Sequence, residues 1–104
     1  MKYSRLKKNT DIQKIFKKGK RVFSNCLSAV YVPSAELKMA VIVSKKHGKA
    51  VKRNRIKRLL RQAFFNTCGN LSSPFSVILI PKTADEYSLR AFEKSLLSCF
   101  KKML

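Results

Sequence analysis

The sequence predicts an α+β domain in which a small mixed sheet packs with helices as a two-layer sandwich. Three observations support this prediction. The chain has 104 residues, the size of one domain, so residues 1–104 are expected to fold as a single unit. Hydrophobic residues make up 45% of it and fall in patterned blocks. These blocks follow the order helix, two or three strands, helix, strand, helix.

The first block, "NTDIQKIFKKG", predicts a short helix that ends near Gly19. Thr10 and Gln13 stand at the spacing of a capping box. The apolar residues of this block fall on one side of the helix: Ile12, Ile15 and Phe16.

The next two blocks have strand character. Residues 22–32 are rich in β-formers and end at Pro33, while "LKMAVIVS" at 37–44 forms a second run after a connection at 33–36. The first run is long enough to bend, or to count as two strands. Together the blocks predict at least one antiparallel hairpin.

A second helix is predicted over 52–65, because apolar residues recur there at i, i+3, i+4, i+7 and i+8. On a helical wheel Asn54, Arg58 and Arg61 lie opposite the apolar stripe. Basic residues flank both sides, so the charged face is wide. The stripe comprises Ile56, Leu59, Leu60, Ala63 and Phe64.

The last part of the chain predicts a loop, a strand and a helix. "TCGNLSSP" has loop composition, "FSVILIP" resembles a strand buried on both faces, and Thr83 with Glu86 indicates the start of a final helix. If the strand at 75–80 lies parallel beside an earlier strand, the helix at 52–65 is its crossover connection. General rules make such a crossover right-handed.

The charge of the chain indicates a polyanionic partner. It has 24 Lys and Arg against five Asp and Glu, a net charge of +19, and no acid between Glu36 and Asp85. Such a field opposes compactness unless a polyanion neutralises it, so nucleic acid is expected. No apolar run is long enough to span a bilayer, and no signal-peptide pattern is present. The three cysteines match no metal or redox spacing, which favours reduced core thiols and a cytoplasmic protein.

Two segments in order carry a specific resemblance. "RLKKNTDIQKIFKKGK" followed by "VIVSKKHGKAVKRNRIKRLLRQAFF" is similar to the protein subunit of bacterial ribonuclease P, whose signature is Arg-Asn-Arg, here residues 53–55. The resemblance covers essentially the whole chain. It implies that the crossover is left-handed, against the general rule, and we follow the family there.

The resemblance implies an accessory role in an endoribonuclease. In the family a large RNA subunit holds the metal ions, expected to be magnesium, that hydrolyse the 5′ leader from precursor tRNA. The expected partners are this catalytic RNA and precursor tRNA, with no membrane and no small-molecule substrate. The residues agree, because one His and five acids offer no nucleophile-plus-base pair. We expect no catalytic residue, metal site or cofactor in the protein itself.

The second helix and the residues before it are expected to bind the catalytic RNA. Arg forks onto phosphate oxygens, Lys adds point charge, and Asn54 offers both a donor and an acceptor. The helix start lacks a strong side-chain cap, so its N–H groups are expected to face phosphate. Charge runs are usually solvated faces, but nine of the 17 residues at 45–61 are basic. The assigned residues are Lys45, Lys46, Gly48, Lys49, Lys52, Arg53, Asn54, Arg55, Lys57, Arg58 and Arg61.

The resemblance also implies a cleft between the first helix and the adjacent sheet face that receives the single-stranded leader. Ile12 stands where many relatives have a second aromatic residue, and the strand pattern leaves open whether Val30 or Tyr31 turns into the cleft. From the residues alone, apolar positions at this spacing more often form core. The assigned residues are Ile12, Phe16, Lys17, Val30 and Tyr31.

Other positions receive weaker assignments. His47 is interpreted as a surface loop residue. Six more cations either extend the leader path or simply solvate the surface: Lys7, Lys8, Lys17, Lys18, Lys20 and Arg21. A small ribosomal or other structural RNA-binding protein would share this charge and build, and a DNA-binding regulator is the third reading.

Overall fold

The structure is a computed structural model that describes residues 3–6, 9–71, 73–84 and 86–103. Within these residues it contains five strands and three α-helices. The strands are β1 (Ser4–Arg5), β2 (Lys20–Phe23), β3 (Leu27–Pro33), β4 (Lys38–Val41) and β5 (Phe75–Pro81). The helices are α1 (Asn9–Lys18), α2 (Ala50–Thr67) and α3 (Leu89–Met103).

The strands form one mixed sheet in the order β1-β4-β5-β3-β2. The apolar segment "FSVILIP" becomes β5, the central strand, antiparallel to β3 and parallel to β4. The predicted hairpin exists within the first run, between β2 and β3, where the Ser24 N–H donates to the Leu27 carbonyl at 2.9 Å. The two runs that flank Pro33 are not neighbours, because β5 lies between β3 and β4.

The α+β class is confirmed, and the helices divide between the two faces of the sheet. α2 and α3 cover the main core, which includes Leu27, Val77 and Leu79. α1 covers a smaller core on the opposite face, with Ile15, Val30, Ala40 and Ile78. Because side chains alternate along a strand and β5 is apolar at nearly every position, both of its faces need cover. α1 therefore adds a third layer to the expected sandwich.

α2 connects two parallel neighbours, β4 and β5, and is the crossover helix that the sequence predicted. Its buried residues confirm the apolar stripe: Ile56, Leu60, Ala63 and Phe64 are buried, and Leu59 is half-buried. The left hand of this crossover remains an expectation from the family resemblance.

α2 and α3 pack through aromatic rings. Phe64 and Phe100 meet edge to face with ring centroids 5.9 Å apart, and Phe92 is equally buried. Full burial of each such side chain stabilises the fold by about 1.5–3 kcal/mol. Of the three expected core thiols, Cys68 and Cys99 are buried, and Cys26 is only half-buried. Burial raises the pKa of the Cys99 thiol.

The start of α3 differs from the prediction. The helix begins at Leu89, and the Ser88 hydroxyl accepts a hydrogen bond from the Ala91 N–H at 3.2 Å. Residues 82–84 and 86–88 lie in a loop, in which the Tyr87 hydroxyl donates to the Lys82 carbonyl and accepts from the Ala84 N–H. In the part of the chain that the structure describes, no helix is long and apolar enough to cross a membrane.

Candidate RNA interface

The exposed side of α2 presents the basic face that the sequence predicted. Asn54, Arg55 and Arg58 are exposed, while Arg53 and Lys57 are half-buried on its flank. Arg61 differs, because it lies half-buried beside the sheet edge and not at the centre of the exposed face. The basic residues of α2 therefore extend from its solvent-exposed side to the edge of the sheet.

α2 begins without a side-chain cap, as expected. Its N-cap is Lys49, which has extended backbone geometry and makes no side-chain cap hydrogen bond. Lys49, Ala50 and Val51 are all exposed. The first N–H groups of a helix have no partner within the helix, so this end can accept an anion from solvent.

His47 is buried at 7% exposure, so its assignment as a surface loop residue was wrong. Its Nδ1 accepts a hydrogen bond from the Ser44 N–H at 3.0 Å, which leaves Nε2 to donate to the Pro81 carbonyl at 2.7 Å. The ring thus ties the loop before α2 to the end of β5. Its partner lies 34 residues away, which is why no local pattern revealed it.

The loop that His47 holds presents Lys45 and Lys46 to solvent from a 3₁₀ turn, Lys45–His47. Gly48 then adopts φ 109° and ψ −162°, a conformation that is essentially restricted to glycine. Gly48 is one of the residues that the sequence analysis assigned to catalytic-RNA binding. The structure gives a backbone reason for the glycine, and RNA approach stays a prediction.

Lys52 and Arg55 border a depression of about 260 Å³ beside the loop before α3. The Lys52 ammonium donates to the Ala84 carbonyl at 3.3 Å and lies 5.7 Å from the centre of the Tyr87 ring. Lys52 is therefore partly engaged within the protein, whereas Arg55 is exposed at the rim.

The N-terminal strand braces α2 from the other side. The Tyr3 hydroxyl donates to the Arg61 carbonyl at 3.3 Å, and its ring meets Phe64 edge to face with centroids 4.9 Å apart. Burial raises the pKa of the Tyr3 phenol, and the positive charges of Arg5 and Arg61 oppose that shift. No local pattern indicates this contact, because it joins residues 58 positions apart.

The second candidate surface lies on the face of the sheet that α1 covers. Phe16 is exposed, at 36%, and Ile12 is half-buried, whereas Ile15 packs into the small core. Lys17 is exposed beside Phe16. The structure thus leaves Phe16 accessible, as a stacking residue requires.

Tyr31 does not belong to this surface. It is buried on the opposite face of the sheet, where its ring meets Phe75 edge to face at 5.5 Å. Val30 does face α1, but it is almost fully buried beneath it. Because adjacent strand residues point to opposite faces, only one of the two could face α1. The placement of Tyr31 in the expected cleft was wrong, and Val30 lies in the small core beneath α1.

The two surfaces meet at the edge of the sheet. Within the described residues, β1 pairs with β4 only at Lys38 and Met39. A depression of about 140 Å³ lies there, and both Ile12 and Arg61 line it. A single polyanion could therefore pass from the α2 face to the α1 face.

Lys7 and Lys8, two of the additional leader-path candidates, lie outside the described residues. The other four, Lys17, Lys18, Lys20 and Arg21, are exposed. Within the described residues, no group of three or more His, Cys, Asp or Glu is placed to hold a metal ion.

Comparison with known proteins identifies a family. The ribonuclease P family model matches residues 1–104. The ribonuclease P protein component of Bacillus pumilus (strain SAFR-032) is 42% identical over 106 residues, which cover 97% of this chain and 88% of that protein.

Solved structures agree in fold. A ribonuclease P protein from Staphylococcus aureus superposes with a TM-score of 0.76 at 30% identity, covering 95% of this chain and 94% of that one. The ribonuclease P protein from Thermotoga maritima gives a TM-score of 0.84 at 24% identity, covering 95% and 96%. The chain therefore belongs to the ribonuclease P protein family, as the sequence resemblance implied.

Proposed function

We propose that this chain binds the ribonuclease P catalytic RNA through α2 and the preceding loop, and binds the 5′ leader of precursor tRNA along α1. It thereby assists endonucleolytic removal of the leader in the cytoplasm. The phosphodiester chemistry belongs to the RNA subunit, with magnesium as its expected ion. The observation that carries the proposal is the basic face of α2, which starts at the uncapped end of that helix.

The α2 face is suited to a folded RNA. Arg55 and Arg58 are exposed and can each fork onto phosphate oxygens, and Asn54 between them can accept a hydrogen bond as well as donate one. The Arg53 Nε is buried and has no hydrogen-bond partner in the described part of the chain. An unpaired buried donor costs free energy. Because this atom is shielded from solvent, an acceptor from a partner could pair with it only if the Arg53 side chain moves.

The α1 surface is suited to a single strand. Stacking on Phe16 tolerates any base, because every base has a π-face, and Lys17 supplies a charge for the backbone. A leader varies in sequence between precursors, so recognition without base-edge hydrogen bonds fits this task. Ile12 adds apolar contact, with Val30 as support below.

Reconstitution of cleavage tests the proposal. The catalytic RNA processes precursor tRNA with and without the purified chain, at low magnesium where RNA alone is slow. We expect the chain to restore leader removal, and a variant with Ala at Arg53, Arg55 and Arg58 to restore much less. No stimulation by the folded chain would reject the proposal and favour a structural RNA-binding protein.

A further inference from the structure

We propose that Phe23 is a second stacking position for the single-stranded leader, beyond Phe16, with Arg21 beside it as a phosphate contact. This inference rests on the proposed function and extends it to the far edge of the sheet. Phe23 is the last residue of β2, and its side chain is 55% exposed, compared with 36% for Phe16. Single exposed apolar residues are common, so exposure alone carries no argument.

The strand register places Phe23 on the same face of the sheet as α1. Phe23 pairs with Ser28, which pairs with Ile80. Two residues back, Arg21 pairs with Val30, which lies beneath α1. Because side chains at i and i+2 share a face, Arg21 and Phe23 both project on the α1 side. Ser28 and Ile80 are only half-buried, so the sheet between Phe23 and the small core is partly open.

The surroundings of Phe23 favour RNA over an apolar partner. Arg21 is exposed about 7 Å away along the strand. Exposed Lys17, Lys18 and Lys20 precede it along the chain. An apolar protein surface would have to desolvate these cations, whereas a single strand offers a phosphate for each cation and a base for the ring.

The end of β2 is held in place. The Lys102 ammonium, from α3, donates to the Phe23 carbonyl at 2.5 Å. The hairpin beyond it is closed by the bond from the Ser24 N–H to the Leu27 carbonyl. β2 is an edge strand of the sheet, and within the described residues no further strand pairs with its outer side. A backbone that is already held loses little further freedom when a base stacks on the ring, which favours binding.

Leader length tests this inference. Precursor tRNAs whose leaders lengthen one nucleotide at a time are titrated with the assembled enzyme. We expect affinity to rise in two steps, first when the leader reaches Phe16 and again when it reaches Phe23. Phe23→Ala should remove only the second step, a loss of roughly 5- to 100-fold for long leaders. Phe23→Tyr, which keeps the aromatic face, should retain that step.

The matched control is Phe65→Ala, which truncates an aromatic residue of similar exposure (40%) on α2. It should leave both steps in place. If Phe23→Ala leaves the length dependence unchanged, or weakens short and long leaders equally, the inference is overturned. A second outcome would also overturn it. In that outcome, sedimentation shows that the wild type self-associates and that Phe23→Ala does not, while the dependence of affinity on leader length persists in the variant.

The design separates this inference from the proposed function. If the wild-type enzyme does not prefer precursor over mature tRNA, the proposed leader contact itself fails. If that preference exists and depends on Phe16 while Phe23 has no effect, only the second stacking position fails.

Discussion

The α2 face and the α1 face are both accessible to RNA, but they differ in chemistry. α2 offers cations and an open helix start, and its exposed side carries Asn54, Arg55 and Arg58. The α1 face offers an accessible ring, Phe16, next to a small apolar core. Charge suits a folded RNA whose phosphates lie in a fixed pattern, and rings suit a strand whose bases are unpaired.

The two regions also differ in how they are supported. The loop before α2 depends on one buried side chain, His47, which bridges to β5. The turn after α1 depends on close backbone packing at Gly19. The loop before α2 is thus held by hydrogen bonds and the turn after α1 by close steric fit, so each region can be perturbed separately.

The largest effect is expected from the basic face. Replacing Arg53, Arg55 and Arg58 together by Ala should lower catalytic-RNA affinity by orders of magnitude. It should also flatten the log–log salt dependence by about three units, since each lost phosphate contact removes about one. Filter binding over a salt series measures both quantities.

The matched control removes the same charge from α3, with Ala at Arg90, Lys94 and Lys101, which are exposed. That variant should keep most of the affinity and slope. Equal losses in the two triple variants would show that net charge, and not the α2 face, determines binding.

Gly19→Ala should affect the α1 side of the protein by destabilising the fold. A Cβ at Gly19 would lie 2.5 Å from the Ile15 carbonyl oxygen and 2.9 Å from the Tyr31 carbonyl oxygen, both of them backbone atoms. Relief requires the backbone to move, so we expect a loss of about 3 kcal/mol in the free energy of unfolding. Urea denaturation measures this loss. Gly69→Ala is the control, because a Cβ there meets nothing within 4 Å, and a similar loss in both would refute the steric explanation.

Phe16→Ala should affect substrate choice and not stability. It should reduce precursor tRNA affinity in the assembled enzyme by roughly 1–3 kcal/mol and leave mature tRNA affinity nearly unchanged. Because the ring is partly exposed, the melting temperature should change little. Leu97→Ala, at a similarly exposed apolar position on α3, is the control. A lowered melting temperature with an unchanged precursor-to-mature ratio would instead make Phe16 a core residue.

The smallest effect is expected at the support of the α2 loop. His47→Ala removes the donor to the Pro81 carbonyl and the acceptor for the Ser44 N–H. The free energy of unfolding should therefore fall by about 1–2 kcal/mol. Catalytic-RNA affinity should fall modestly, because Lys45 and Lys46 lose their fixed position. Lys46→Ala, at an exposed neighbour, should weaken RNA binding without loss of stability. Unchanged stability in His47→Ala would show that the ring does not hold the loop.

The sequence predicted most of the α2 face because the relevant information is local. Helical periodicity alone separates Ile56 and Leu60 from Arg55 and Arg58, and the structure keeps them on opposite sides. α2 is two residues longer at each end than predicted, 50–67 instead of 52–65, and this changes none of these directions.

What the sequence did not predict depends on long-range pairing. The burial of His47 needs Pro81, and the direction of Tyr31 needs the strand register. In the sequence, Phe23 cannot be distinguished from the other β-forming residues of its run. The strand order shows that it lies on an edge strand of the sheet. Local patterns specify which residues share a face, but not which face the rest of the chain will cover.

If the α2 face and the α1 face perform separable tasks, two variants compared in two assays should show it. The α2 triple variant and Phe16→Ala are each assayed in the assembled enzyme for the salt slope of catalytic-RNA binding and for the ratio of precursor to mature tRNA affinity. We expect the triple variant to flatten the slope and leave the ratio unchanged, and Phe16→Ala to lower the ratio and leave the slope unchanged. If both variants shift both quantities together, the two faces act as one surface and their tasks are not separable.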